Sequence, residues 1–123
     1  MPPLAGKKVL VVEDEAITAL MIQFALLDEG ADVIGPASTV QQALTLLRQQ
    51  VPDVATLDLN LAGEMATQVA NALSALHVPY LIASAYGDQT TIPLPDAAGM
   101  VEKPYSPKGF IAAVVAVLAK REA

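Results

Sequence analysis

The chain contains no cysteine and only one histidine. The first absence removes disulfides, thiolate nucleophiles and cysteine metal sites, and it fits a cytosolic protein. The second excludes a histidine-rich zinc centre. Basic residues are scarce as well, with 7 Lys and Arg against 13 Asp and Glu and a net charge of −6. Direct binding to nucleic acid needs a basic footprint to displace counterions from phosphates, so it is not expected here. Long apolar runs are also lacking. The uncharged stretch from Gly109 to Ala119 is about half of the roughly 20 residues that a spanning helix requires. The opening Met1-Pro-Pro-Leu-Ala-Gly-Lys-Lys8 precedes a strand-like run rather than the apolar core and cleavage site of a signal peptide. A cytoplasmic protein without membrane insertion is the expectation.

The chain is rich in apolar residues, at 54% of 123 positions. That supports a full core and argues against disorder, and the length suits one domain. Apolar runs alternate with helical patterns, the signal of a parallel α/β sheet. Val9 to Val12 is a continuous β-branched run of the kind buried on both faces. Glu15 to Asp28 carries Ile17, Leu20, Met21, Phe24 and Leu27 at helical spacing, with Gly30 placed to end the helix. Asp32 to Gly35 reads as a second strand. Ser38 and Gln41 form a capping-box pattern that opens a helix running through Gln49. Val54 to Leu57 is a third strand ending on Asp58. Met65 to Leu76 is a third helix, with Val69, Ala72, Leu73 and Leu76 on one face. Tyr80 to Ala83 is a fourth strand, and a short fifth surrounds Met100 and Val101. Ser106-Pro107 starts a last helix that runs to about Ala119. Between Ser84 and Gly99 two prolines, a glycine and two threonines oppose a helix, so a loop or a single turn is expected. A single domain over 1–123, with a core of about 7–119 and no output domain, is the expected organisation.

Glu13 and Asp14 follow the first strand, Asp58 ends the third and Lys103 follows the fifth. Open parallel sheets bind ligands at those strand ends, so the fold should gather these residues. Converging carboxylates repel unless a cation lies among them. Hard oxygen ligands select Mg²⁺, or another small divalent cation, which keeps waters and phosphate oxygens as its remaining ligands. A carboxylate can also attack phosphorus and form an acyl phosphate. Such transfer requires positioning and neutralisation of the equatorial oxygens, for which Mg²⁺, Lys103 and the hydroxyl of Ser84 are suited. Each piece has an ordinary explanation too. Glu13, Asp14 and Glu15 favour the positive end of a helix dipole, Lys103-Pro104 is a common loop dipeptide, and Ser84 alone is uninformative. The specificity lies in their combination, in this order and at these strand ends. Lys103-Pro104 is also a candidate cis peptide. His77 reads as a surface residue without a role.

From Lys7 to Ala119 the chain resembles the receiver domains of bacterial two-component response regulators. Val9-Leu-Val-Val-Glu-Asp-Glu15, Asp58 closing a hydrophobic strand, Ser84-Ala85 and Lys103-Pro104-Tyr105 carry the resemblance. It implies a flavodoxin-like (βα)5 fold, a five-stranded parallel sheet of order 2-1-3-4-5, in which the prolines and threonines between Ser84 and Gly99 would weaken the fourth helix or replace it by a loop. It further implies that Asp58 takes a phosphoryl group from the phosphohistidine of a sensor histidine kinase. Asp14 would bind Mg²⁺ directly, Glu13 directly or through water, and Asn60 through its backbone carbonyl. Ser84 and Lys103 would contact the phosphoryl oxygens. Pro79-Tyr-Leu-Ile-Ala-Ser-Ala-Tyr86 is similar to the Pro-Phe-x-Phe-Ala-Thr-Gly-Tyr motif of the FAT GUY receivers. These are mostly stand-alone regulators linked to HWE or HisKA2 kinases. Tyr80, Ile82, Ser84 and Ala85 depart from that motif. Met100 stands where many receivers carry a switching aromatic, which leaves Tyr86, Met100 and Pro104 as the switch candidates. Ordering of the Ser84–Gly99 segment on phosphorylation is the expected switch.

Three other readings are weighed against this one. Aspartyl-phosphate hydrolases resemble one another in an Asp-x-Asp pair, whereas this chain has Asp58-Leu-Asn60. Flavodoxin-like FMN modules need a phosphate loop where Glu13-Asp14-Glu15 stands. A pseudo-receiver would lack the acceptor or the lysine. The expectation is a signalling protein rather than a turnover enzyme, one that catalyses its own phosphorylation and slow dephosphorylation. Its output would pass through an unidentified downstream protein, the alternative being a phosphate sink or a module for contacts alone. The last helix carries no charge from Gly109 to Ala119. Phe110, Ile111, Val114 and Leu118 should face the sheet, and an opposite face with Ala113 and Val117 would serve a partner or a homodimer.

Overall fold

The computed structural model describes residues 4–58, 60–61, 64–85, 97–103 and 105–122; for 60, 64–65, 84–85, 102–103 and 121–122 it describes the backbone alone. The strands are β1 (Lys8–Val12), β2 (Asp32–Ala37), β3 (Val54–Asp58), β4 (Tyr80–Ala85) and β5 (Gly99–Lys103). All pairings in this sheet are parallel and its order is β2-β1-β3-β4-β5. Among the described residues the helices are α1 (Ala16–Asp28), α2 (Val40–Gln49), α3 (Thr67–Ala75) and α4 (Pro107–Glu122). A two-residue antiparallel ladder pairs Asn60–Leu61 with Glu64–Met65. The expected five-stranded α/β sheet, order included, is the observed one. The segment expected to lack a fourth helix falls largely outside the described residues.

Both faces of the sheet are covered, and strand side chains alternate between them. Leu10, Val12, Leu57, Tyr80 and Ile82 face α2 and α3, joining Val40, Ala43, Leu47, Val69 and Leu73. Val9, Val11, Val54 and Leu81 face the other way, joining Ile22 and Leu26 of α1 and Phe110, Val114 and Val117 of α4. Leu4, which precedes the expected start of the core at Lys7, is fully buried in this second layer.

The helix ends follow local chemistry. At Gly30 (φ 83°) the N–H donates to Leu27 O and the next N–H, of Ala31, to Leu26 O, a Schellman closure of α1. The hydroxyl of Ser106 accepts the N–H of Gly109 at 3.0 Å, capping α4 as expected. The cap of α2 is one residue later than expected. Thr39, not Ser38, accepts the N–H of Gln42 at 3.1 Å, and Gln42 Oε1 in turn accepts from the N–H and hydroxyl of Ser38. Both Ser-x-x-Gln and Thr-x-x-Gln spell a capping box, and starting the helix at Val40 buries Val40, Ala43 and Leu47.

Burial settles the face of α1, which spacing left open, and corrects that of α4. In α1 the buried residues are Ala19, Ile22 and Leu26, whereas Ile17, Leu20, Phe24 and Leu27 are exposed. The helix is apolar on every side, so periodicity could not say which stripe meets the sheet. In α4 Phe110, Val114 and Leu118 are buried as expected, but Val117 is buried with them and Ile111 only half so. Between Phe110 and Ala119 the exposed positions are Ala112, Ala116 and Ala119, so Val117 belongs to the core and not to an outer face.

Candidate functional site

Strand register assembles the site. Val12 pairs with Leu57, so the next residues, Glu13 and Asp58, emerge from neighbouring strands at the carboxyl edge. Asp58 pairs with Ala83, Ser84 with Glu102 and Ala85 with Lys103, which places the backbone of Ser84 and Lys103 along the same edge. Met100 lies on β5 and is exposed. Tyr86 and Pro104, with the expected cis bond at Lys103-Pro104, lie outside the described residues. The cis peptide among the described residues is Gly35-Pro36.

Carboxylate oxygens of Glu13, Asp14 and Asp58 all lie within 4.8 Å of one another. Glu13 is 3% exposed and Asp58 9%, while Asp14 is open to solvent. The helix-terminus explanation for this acidic run holds in part: Glu13 Oε2 accepts the N–H of Glu15 at 3.1 Å, and Glu15 is the N-cap of α1. That bond uses one oxygen and fixes the carboxylate at the mouth of the site. The loop itself is anchored, because the N–H of Glu13 donates to Ala37 O at 2.9 Å. Sequence alone gave no sign of this anchor, because Ala37 acts through its backbone.

Two carboxylates this close in a largely buried setting repel by roughly 3 kcal/mol at an effective dielectric constant of about 20. A divalent cation among them reverses the sign. The donor set is oxygen only, without histidine or sulfur, and so fits Mg²⁺ or a similar hard cation. Asn60, two residues beyond Asp58, opens the short ladder next to this edge.

The chain matches the response regulator receiver domain family over residues 9–115. It belongs to that family. Among curated relatives it is 37% identical over 122 residues to the DNA-binding response regulator MtrA of Mycolicibacterium smegmatis, covering 94% of this chain and 52% of that protein. It is 32% identical over 109 residues to the sensory transduction protein LytT of Bacillus cereus, covering 85% of this chain and 44% of that protein. The chain thus spans about half the length of these relatives. Among solved structures, SdrG from Sphingomonas melonis Fr1 is 32% identical with a TM-score of 0.79, covering 96% of this chain and 99% of that one. The N-terminal domain of a response regulator/sensory box/GGDEF 3-domain protein from Carboxydothermus hydrogenoformans is 26% identical with a TM-score of 0.84, covering 94% and 97%. Among the described residues of this receiver domain, no helix is long and apolar enough to cross a membrane.

Proposed function

We propose that this receiver domain is a phosphorylation switch whose acceptor is Asp58. The observation that carries the reading is the cluster of Glu13, Asp14 and Asp58 oxygens within 4.8 Å at the carboxyl edge of the sheet. Asp58 Oδ attacks the phosphorus of a phosphohistidine on a sensor kinase. A P–O bond forms, the P–N bond breaks, and the imidazole leaves with the bonding electrons and takes up a proton. Asp14, Glu13, Asp58 and the carbonyl of Asn60 would hold Mg²⁺, which when bound neutralises charge on the transferred group. Ser84 and Lys103 contact the phosphoryl oxygens. The likeness of Pro79–Tyr86 to the FAT GUY motif supports a stand-alone regulator served by a kinase of the HWE or HisKA2 type. Its output is a phosphorylation-dependent contact with another protein.

The test is intact mass after incubation with acetyl phosphate and Mg²⁺. The wild type gains about 80 Da, one phosphoryl group held as an acyl phosphate, and Asp58→Ala gains nothing. An adduct that persists in Asp58→Ala assigns the acceptor elsewhere.

A further inference from the structure

The carboxyl edge of the sheet holds the acidic cluster, and the amino edge holds a pocket of opposite character. Its volume is about 560 Å³, within the range of small-molecule sites. His77, Val78 and Pro79 lead into β4 and Ala98 leads into β5, so the pocket lies where these two strands begin. Ser74, in the last turn of α3, borders one side, and Val117 and Lys120 of α4 border the other. Val78 and Val117 are buried, and with Pro79 and Ala98 they form an apolar floor. The polar groups stand at the rim. Lys120 Nζ donates to Ala98 O at 3.0 Å, which holds the ammonium beside the pocket and uses one of its three N–H donors. The Ser74 hydroxyl and the His77 imidazole make no hydrogen bond among the described residues. Of the described residues that line the pocket none is acidic, in a chain with 13 Asp and Glu against 7 Lys and Arg.

The donors select the ligand. Phosphate groups are bound by several converging backbone N–H groups. Here the N–H of His77 donates to Ser74 O, that of Val78 to Leu73 O and that of Ala98 to Tyr80 O, and Pro79 has none. One ammonium, one imidazole and one hydroxyl are left above an apolar floor. That set is too sparse for a phosphate dianion and suits a single negative charge on a molecule with an apolar body. We propose that this pocket at the start of β4 and β5 binds a small monocarboxylate with an aryl or alkyl body. The carboxylate accepts from Lys120 Nζ, with the Ser74 hydroxyl and the His77 imidazole as further donors. The body covers Pro79, Ala98 and Val117, which adds burial of apolar surface to the charge contact.

The probe is hydrocinnamate, titrated into the isotope-labelled full chain and followed by amide shifts in NMR spectra. Saturable shifts are expected at Ser74, His77, Val78, Ala98 and Lys120, with a Kd on the order of 1 mM for a ligand of this size. Hydrocinnamamide keeps the body without the charge, and acetate keeps the charge without the body. Each should bind at least about fivefold more weakly, as should inorganic phosphate. Lys120→Gln should weaken hydrocinnamate at least about fivefold, while Lys108→Gln, which removes the same charge at the other end of α4, should leave its affinity unchanged. Ala98→Leu fills the floor and should abolish the shifts; if that variant does not fold, Lys120→Gln decides. Absence of saturable shifts, shifts centred elsewhere, equal binding of the amide, tighter binding of inorganic phosphate, or indifference to Lys120→Gln overturns the proposal. The pocket and Asp58 lie at opposite edges of the sheet, so the outcome is independent of the acceptor reading.

Discussion

Glu13 and Asp58 stand side by side because Val12 and Leu57, the residues before them, are register partners in neighbouring parallel strands. Their carboxylates, with that of Asp14, are held within 4.8 Å, so the fold sets like charges side by side. Asp58→Asn should therefore raise stability in the presence of a chelator, by about 1 kcal/mol once solvent screening is allowed for. A fall in the melting temperature in chelator would show that the three charges are already compensated by the fold.

Cation binding should stabilise the wild type by linkage, reaching about 2.7 kcal/mol at 100 times the dissociation constant. Asp14→Asn, an exposed position that leaves the core untouched, should lose most of that rise. Thermal melts across a Mg²⁺ titration measure it, and an undiminished rise in Asp14→Asn would place the metal elsewhere.

The sheet and the acidic cluster were legible in the sequence for one physical reason. Parallel strands buried on both faces need unbroken apolar runs such as Val9–Val12, and the residues that follow such runs must lie at the carboxyl edge. Helix orientation was less legible. In α1 every face is apolar, so the helical spacing of Ile17, Leu20, Phe24 and Leu27 does not say which stripe is buried, and Ile22 and Leu26 fill the core. Near α2 two overlapping capping boxes were spelled, and only burial of Val40 and Leu47 chose between them. The roles of Tyr86 and Pro104 rest on the family resemblance alone.

Helices α1 and α3 end in the same way with different residues. His77 takes the left-handed position that Gly30 takes after α1, at φ 59°, with its N–H donating to Ser74 O and the N–H of Val78 to Leu73 O. A side chain at that conformation costs about 1–2 kcal/mol relative to glycine. His77→Gly should thus raise the urea midpoint by an amount worth about 0.5–1 kcal/mol, after the extra chain entropy glycine brings to the unfolded state. An unchanged or lower midpoint would mean that the imidazole makes a compensating contact.

Val117 and Ala116 are sequence neighbours with opposite surroundings. Val117 is 2% exposed, and a Cβ placed on Gly99 would lie 3.2 Å from its Cγ2. Ala116 faces solvent. A glutamate at 117 would bury an unpaired charge, so Val117→Glu should cost more than about 3 kcal/mol or prevent folding. Ala116→Glu should stay within about 0.5 kcal/mol of the wild type. Equal behaviour of the two variants in denaturant would contradict the placement of α4.

Gly35 couples the edge strand to the acidic site. Its φ is +96°, and a Cβ there would lie 2.7 Å from Ala37 N and 3.0 Å from Val11 O. Both contacts are backbone, so no side chain can swing away to relieve them. The position also falls where the β1–β2 register shifts, between Leu10 and Val12. Just beyond it, Ala37 O accepts the N–H of Glu13. Gly35→Ala should therefore act twice. The strained backbone and the clash should cost about 2–4 kcal/mol, and displacement of Ala37 should loosen Glu13 and reduce the Mg²⁺-induced rise in melting temperature. Gly6 provides the comparison: its φ is +75°, but nothing lies within 4 Å of an added Cβ. Gly6→Ala should cost about 1 kcal/mol, from backbone strain alone, with the Mg²⁺ response intact. Urea unfolding with and without Mg²⁺ separates the two effects. A Gly35→Ala protein that is destabilised yet keeps the full Mg²⁺ response would break the proposed link between β2 and the site.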